Sequence, residues 1–238
     1  MELAAVKSRI GRAGRAVWRY VRRAPGTFLW LAILFATTVV LRHVSPHTAE
    51  RILERHSTNL HYLSVSPVRV LITSGFYIAG GGWWFYFVLY NIFHVPAERW
   101  LGTARWLAVL LIAHVGATYI SEGVLLWAIN HGMAPEKARY TLDYGVSYAL
   151  AGIEAVLVYL IAKPWRYLYL VGLLGFYVLG VVRSRDFTSV GHLSAVLLGL
   201  ACYPLTRSRP GSFDPVATAR ALWHRARQGR HARASAQD

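Results

Sequence analysis

Gly145-Val-Ser147-Tyr-Ala-Leu-Ala-Gly152 and Gly191-His192-Leu-Ser-Ala-Val-Leu-Leu-Gly199 are two apolar stretches that each carry a reactive side chain close to their start. In a six-span interpretation of the chain, both stretches enter the membrane from the same side. At 1.5 Å of rise per residue, the Ser147 and His192 side chains are expected roughly 6–8 Å below that surface. A serine and a histidine at equal depth in neighbouring helices are the minimum parts of a nucleophile–base pair. The two stretches therefore predict a Ser–His site embedded in a membrane.

The composition is typical of a multi-span membrane protein. The chain has 238 residues, of which 55% are hydrophobic, and its mean hydropathy of +0.34 is high for a soluble domain. The formal net charge of +15 is concentrated at the two ends of the chain. Anionic lipid headgroups and membrane topology explain this distribution better than nucleic acid, which we do not expect as a partner.

Cysteine and histidine give no sign of a metal or cofactor site. Cys202 is the only cysteine, so an intramolecular disulfide and a C-x-x-C zinc motif are both excluded. The histidines His43, His47, His56 and His61 lie in one loop without tight ligand spacing. We therefore expect neither a metal nor a cofactor. Arginine outnumbers lysine and alanine is frequent, which favours a GC-rich bacterial genome, such as an actinobacterial one.

Six apolar segments predict an all-α polytopic membrane protein. Most of them approach the roughly 20 residues that a helix needs to cross a hydrocarbon core. Their approximate bounds are Gly26–Leu41, Gly82–Val95, Trp106–Ile129, Gly145–Ala162, Trp165–Val182 and Thr188–Leu205. Prolines stand at the ends of three of these segments, where a broken helix costs little.

Basic residues predict the orientation of these spans. Of the 26 lysines and arginines, eight lie in the loops on one side, and the rest lie at the termini and in the loops on the other. The positive-inside rule then places both termini in the cytoplasm of a bacterial cell, with the protein in the plasma membrane. We expect a basic cytoplasmic arm over residues 1–25, a six-span domain over 26–205 and a basic cytoplasmic tail over 206–238. Both basic ends are expected to contact anionic lipids of the inner leaflet.

The first outer loop, roughly Arg42–Gly81, is long and rich in apolar residues. Charged residues that recur at i, i+4 spacing, namely Glu50 and Glu54, and Arg51 and Arg55, predict a helix over Ala49–Leu60. Such a loop is expected to rest in the membrane interface. Asp143, immediately before the fourth span, is the expected N-cap of that helix.

Several motifs resemble those of the rhomboid family, in the same order. They are Pro67-Val-Arg69-Val-Leu-Ile-Thr-Ser74 in the first loop, Glu98-Arg-Trp-Leu-Gly-Thr-Ala-Arg105 between spans two and three, and the Ser147 and His192 stretches. The resemblance covers about Pro67–Pro204 and implies a rhomboid-like six-helix bundle with an interfacial first loop. It also implies intramembrane proteolysis, with Ser147 as nucleophile and His192 as general base.

The chain departs from the family pattern at the oxyanion donors. Active rhomboids carry His-x-x-x-Asn on the second span, and neither possible register supplies these residues here. Trp83, Trp84 and Tyr86 own N–H or O–H donors near the expected depth and are the candidate replacements, although aromatic residues at this depth also form ordinary interfacial belts. The glycine that usually follows the nucleophile is replaced by Tyr148.

Two further patterns concern the interior of the bundle. Gly191, Ala195 and Gly199 form a four-residue repeat of small side chains, which predicts close packing of the sixth helix. Asn91, His114 and Glu154 are polar residues expected near mid-membrane, where an ionisable group is costly unless it is paired. These three residues are predicted to form a buried hydrogen-bonded cluster.

Two functions remain open from the sequence. The first is an intramembrane serine endopeptidase that cleaves transmembrane substrates with a Ser–His dyad, favoured by the presence of Ser147 and His192. The alternative is a catalytically inactive rhomboid-like protein that binds transmembrane helices of client proteins as a chaperone or escort. The missing second-span pair favours this alternative.

Overall fold

Apolar helices follow the six predicted segments in order. The computed structural model describes residues 2–78, 82–209, 213–221 and 223–224, with side chains described from residue 11 onward. The helices are α1 (Glu2–Val21), α2 (Pro25–His43), α3 (Pro46–Arg55), α4 (Leu60–Val65), α5 (Pro67–Thr73), α6 (Trp83–Leu89), α7 (Val95–Leu101), α8 (Thr103–Asn130), α9 (Gly145–Val156), α10 (Trp165–Ser184) and α11 (Phe187–Ala201). By length and composition, α2, α8 and α10 can cross a membrane, and α9 and α11 are shorter apolar helices.

The second and fourth segments differ in length from their predictions. The second runs from Trp83 to Leu101, because a π-helical turn at Tyr90–His94 joins α6 to α7. This wider turn lets the helix continue past Pro96, where the sequence predicted an end. The fourth was predicted to reach Ala162, but α9 stops at Val156 and only a 3-10 turn continues to Tyr159.

The first loop consists of three short helices, α3, α4 and α5. The predicted helix over Ala49–Leu60 is wrong at both ends, since α3 begins at Pro46 and ends at Arg55. Ser45 caps α3 by accepting from Thr48 N. Asn59 caps α4 by accepting from Tyr62 N. Because α4 begins at this cap, α3 does not continue to Leu60.

Small residues bring α8, α9 and α11 into close contact, which confirms the packing predicted for the sixth helix. A Cβ built on Gly199 would lie 2.3 Å from the carbonyl oxygen of Gly152. A Cβ on Gly152 would lie 2.2 Å from the Cβ of Ala113 on α8. Ala195 is fully buried in the same cluster. The α9 and α11 backbones therefore touch at a point where no larger residue fits.

Gly199→Ala tests this backbone contact. We expect it to lower the free energy of unfolding by about 2 kcal/mol, because overpacking against a backbone atom cannot be relieved by a side-chain rotation. Gly175→Ala on α10 is the matched control, since a Cβ there meets nothing within 4 Å. Thermal melts in detergent, followed by circular dichroism, measure both variants. Equal melting of Gly199→Ala and wild type would contradict the contact.

A buried carboxylate ties the start of α2 to the α7–α8 connection. Glu98 is 2% exposed and its Oε2 accepts from Thr27 N (2.8 Å) and Thr27 Oγ1 (2.7 Å). Its Oε1 accepts from Gly26 N (2.9 Å) and Thr103 Oγ1 (2.8 Å). A negative charge at a helix N-terminus is favoured by the free N–H groups and the helix dipole. Glu98 therefore stabilises the ends of two membrane-length helices at once.

Glu98→Gln removes the charge and one acceptor oxygen while keeping the shape. Because buried donors then lose their partner, we expect a loss of about 3 kcal/mol in the free energy of unfolding. Glu136→Gln is the control, since the Glu136 side chain is 72% exposed and pairs only with Arg139. Its loss should stay below about 1 kcal/mol. A Glu98→Gln variant no less stable than Glu136→Gln in detergent melts would refute the role of this carboxylate.

Candidate active site

Ser147 lies in the first turn of α9, where the helix begins at a glycine. The Gly145 backbone is pressed against the His114 imidazole, and a Cβ at Gly145 would lie within 2 Å of the ring. The Ser147 side chain is half-buried, and its Oγ donates to Tyr144 O over 3.4 Å. The N-terminus of α9 has no side-chain cap. Backbone N–H groups in this turn are therefore available to a developing negative charge.

His192 lies in the second turn of α11, whose start is fixed by Asp186. Asp186 Oδ1 accepts from Ser189 N over 2.7 Å. Burial raises the pKa of Asp186, but hydrogen bonds from Ser189 and Thr188 outweigh it and hold the pKa below its usual value. The His192 ring meets the Tyr148 ring edge to face, with centroids 4.9 Å apart, and lies nearly parallel to the Tyr177 ring at 6.2 Å.

Ser147 and His192 line one cavity of about 910 Å³. Its walls come from α6 and the following π turn, from α9, from α10 and from the start of α11. The polar groups on these walls are Tyr86, Ser147, Glu154, Tyr169, Tyr177, Arg183, Ser184, Ser189 and His192. Within the described residues, no hydrogen bond joins Ser147 to His192.

Tyr148 occupies the place next to His192. A Cβ on Gly191 would lie 2.6 Å from the Tyr148 hydroxyl oxygen, so only glycine at position 191 leaves room for this ring. The Tyr148 hydroxyl donates to Asp143 Oδ2 over 3.0 Å. Tyr148, which follows Ser147 where the family pattern has glycine, is therefore anchored between α9 and α11 and is fully buried.

Asp143 is not the N-cap that the sequence predicted, since that position belongs to Tyr144. Asp143 Oδ1 accepts from Tyr144 N over 3.0 Å, and its other oxygen is taken by Tyr148. Burial raises the pKa of Asp143 to about 6, with the hydrogen bonds from Tyr148 and Tyr144 acting in the opposite direction. The carboxylate thus orients the residues on either side of Ser147 rather than the helix N-terminus.

The first loop holds the backbone that leads into α9. Thr58 N and Ser57 Oγ both donate to Asp143 O, over 2.9 and 3.1 Å. Asp143 N donates back to Ser57 Oγ over 2.9 Å. Ser57 and Thr58 are fully buried. Sequence reasoning missed this contact because some 85 residues separate the two segments and no local pattern marks it.

Of the three candidate oxyanion donors, the structure brings only Tyr86 to the cavity. Trp83 donates its Nε1–H to Leu31 O over 2.9 Å, so this indole is committed to packing against α2. Trp84 is 70% exposed on the outer face of α6. The structure therefore does not place Trp83 or Trp84 on the cavity wall: Trp83 lies against α2, and Trp84, two residues before Tyr86, lies on the opposite face of α6.

The predicted cluster of Asn91, His114 and Glu154 does not form. Glu154 lines the cavity and accepts from the Tyr177 hydroxyl over 2.7 Å. His114 Nε2 lies 2.7 Å from Leu71 O in the first loop, and Asn91 Oδ1 accepts from the Tyr20 hydroxyl. Each side chain finds a partner on a neighbouring tyrosine or loop carbonyl. The part of the chain with described side chains holds no group of three His, Cys, Asp or Glu that suits a metal ion.

A histidine in the first loop provides a pH test of this packing. The His56 ring stacks on Tyr77 at 4.5 Å. Burial lowers the pKa of His56 below 6.5, and Arg69 and Arg55 lower it further. The unfolded loop therefore binds a proton more tightly than the folded one, and the stability present above pH 6.5 is lost as the pH falls through the folded pKa.

We expect faster amide hydrogen exchange in the first loop at about pH 5.5 than at about pH 7.5, after correction for intrinsic rates. His56→Phe keeps the stacked ring and removes the titrating group, so its loop should lose this pH response. The same response in wild type and His56→Phe would show that another group is responsible.

The fold and this cavity define a class of protein: an all-α membrane bundle in which a serine and a histidine on neighbouring helices face one cavity. A family model described as rhomboid-like protein matches residues 19–212. The chain therefore belongs to the rhomboid-like family, which confirms the resemblance seen in its motifs. Comparison with curated proteins and with solved structures finds no match.

Proposed function

We propose that this protein is an intramembrane serine protease with a Ser147–His192 dyad. The observation that carries the proposal is that both side chains line the same cavity. Ser147 Oγ would attack a peptide carbonyl while His192 accepts its proton and then gives it to the departing amine. Water would hydrolyse the acyl-enzyme by the same route in reverse. The first-turn N–H groups of α9 and the Tyr86 hydroxyl would stabilise the oxyanion.

The dyad needs a rearrangement before it can act. Ser147 Oγ donates to Tyr144 O in the structure, and rotation about its Cα–Cβ bond would redirect it into the cavity. Catalytic hydrogen bonds are often long or misaligned in the absence of substrate. A bound substrate that displaces the Ser147–Tyr144 contact would complete the arrangement.

The substrates proposed for this site are transmembrane segments of other proteins. Apolar side chains of α6 and α10, among them Phe85, Leu89 and Phe176, form the cavity walls around the polar groups. An apolar helix from the bilayer is compatible with such walls, and the polar groups inside would receive an exposed backbone. The basic residues favour cytoplasmic termini in a bacterial plasma membrane.

A second function is favoured by two observations. Tyr148 fills the space beside His192. Of the three side chains predicted as oxyanion donors, only Tyr86 lines the described cavity. Loss of one such donor costs on the order of 10²–10³ in rate. The second proposal is therefore a catalytically inactive protein that binds transmembrane helices of clients in the same cavity, as a chaperone or escort.

Labelling with a fluorophosphonate probe separates the two functions. If Ser147 is activated by His192, the detergent-solubilised protein reacts with the probe, and Ser147→Ala abolishes labelling. His192→Ala should slow labelling by on the order of 10²-fold or more, since it removes the general base.

Ser194→Ala is the matched control for this experiment. Ser194 lies on α11 two residues after His192, and its hydroxyl donates to Val190 O over 2.8 Å, outside the cavity lining. This variant should label like wild type. Folded wild-type protein that does not react, or reaction that persists in Ser147→Ala, would contradict the protease and favour the helix-binding protein.

A further inference from the structure

A cleft of about 200 Å³ lies between the end of α1 and the end of α7. It shares no lining residue with the Ser147 cavity. It is lined by Ala16, Arg19, Tyr20, Arg23 and Arg99. Three of these five residues carry a guanidinium group, and all three arginines are exposed. The cleft therefore presents several positively charged donors to one small volume.

The three positive charges have no acidic partner among the described side chains. Among the described side chains, the ion pair that forms is between Arg139 and Glu136, which lie in a different part of the chain. The nearest carboxylate in sequence, Glu98, is buried and saturated by hydrogen bonds from α2 and Thr103. Like charges placed together without a counter-charge repel one another, and an anion in the cleft would relieve this repulsion.

Arg99 is already held in position for such an anion. Its guanidinium group lies over the Tyr20 ring at 4.1 Å, and its Nη2 donates to Tyr20 O over 2.9 Å. Tyr20 is fixed in turn by its hydroxyl, which donates to Asn91 Oδ1 over 3.1 Å. Because a guanidinium has five donors, the remaining N–H groups of Arg99 stay available for a ligand.

The position of the cleft indicates which anion it meets. Pro25 and Thr103 begin two helices long enough to cross a membrane, and Glu98 holds those two starts together. The cleft lies at this end of the bundle, where a bilayer would place its headgroups. Val17 and Trp18 beside it are 63% and 61% exposed, as apolar and aromatic residues at a membrane interface commonly are.

We infer that Arg19, Arg23 and Arg99 form a binding site for the phosphate group of an anionic phospholipid. Guanidinium groups suit phosphate because they donate in a planar, bidentate arrangement. The acyl chains would run along the outer face of α2, and Trp18 would contact the interface beside the headgroup. This site is independent of the Ser147–His192 chemistry.

Native mass spectrometry of the full chain in detergent tests the site by titration with phosphatidylglycerol and with phosphatidylcholine. We expect one phosphatidylglycerol molecule to bind in preference to the zwitterionic lipid. Arg19→Gln with Arg23→Gln should raise the Kd for phosphatidylglycerol by on the order of tenfold or more. Arg12→Gln with Arg15→Gln removes the same charge from the same helix outside the cleft, and should change the Kd by no more than about twofold.

The double variant Arg19→Lys with Arg23→Lys controls for loss of structure. It keeps both charges, so it should retain the preference for phosphatidylglycerol. Equal effects of the two Gln pairs would show a diffuse basic surface and overturn the discrete site. Equal binding of the two lipids would overturn it as well. Displacement of the lipid by millimolar inorganic phosphate would identify free phosphate as the ligand and overturn the lipid assignment.

Discussion

The backbone contact between α9 and α11 is the constraint on which the candidate site depends. Helices within a bilayer gain little from hydrophobic burial, so they associate where small residues let their backbones approach. Gly152 and Gly199 meet at such a point, and Gly191 makes room for Tyr148 further along. Ser147 and His192 lie within two turns of this contact. Their shared cavity is therefore a consequence of glycine placement, not of any direct bond between them.

Two anchoring carboxylate-bearing residues of the bundle make hydrogen bonds across long sequence separations. Glu98 binds the start of α2, and Asp143 exchanges hydrogen bonds with Ser57 in the first loop. An unpaired buried donor or acceptor costs about as much as several apolar contacts gain. Glu98 and Asp143 therefore fix connections between helices that apolar packing alone would leave less ordered. The Asp143 bonds fix the backbone immediately before α9, the helix that carries Ser147.

Whether the site performs chemistry depends on the surroundings of the two candidate residues. Tyr148 packs beside His192 where the family pattern has glycine, and Tyr86 lines the cavity as the remaining candidate for the missing second-span donors. Each oxyanion donor that is missing lowers the rate by on the order of 10²–10³. The same cavity, with apolar walls and few polar groups, suits the binding of a helix in either case. Both proposed functions therefore share one surface and differ only in what happens after binding.

The sequence alone determined the class of fold, the order of the apolar helices, the family and the small-residue face of α11, because these follow from local composition and spacing. It also identified Ser147 and His192 as candidates, but not their neighbours. The partners of Glu154, His114 and Asn91, the outward position of Trp84 and the Asp143–Ser57 bonds were decided by tertiary packing. Such contacts join segments far apart in the chain, and hydropathy carries no information about which polar groups will meet.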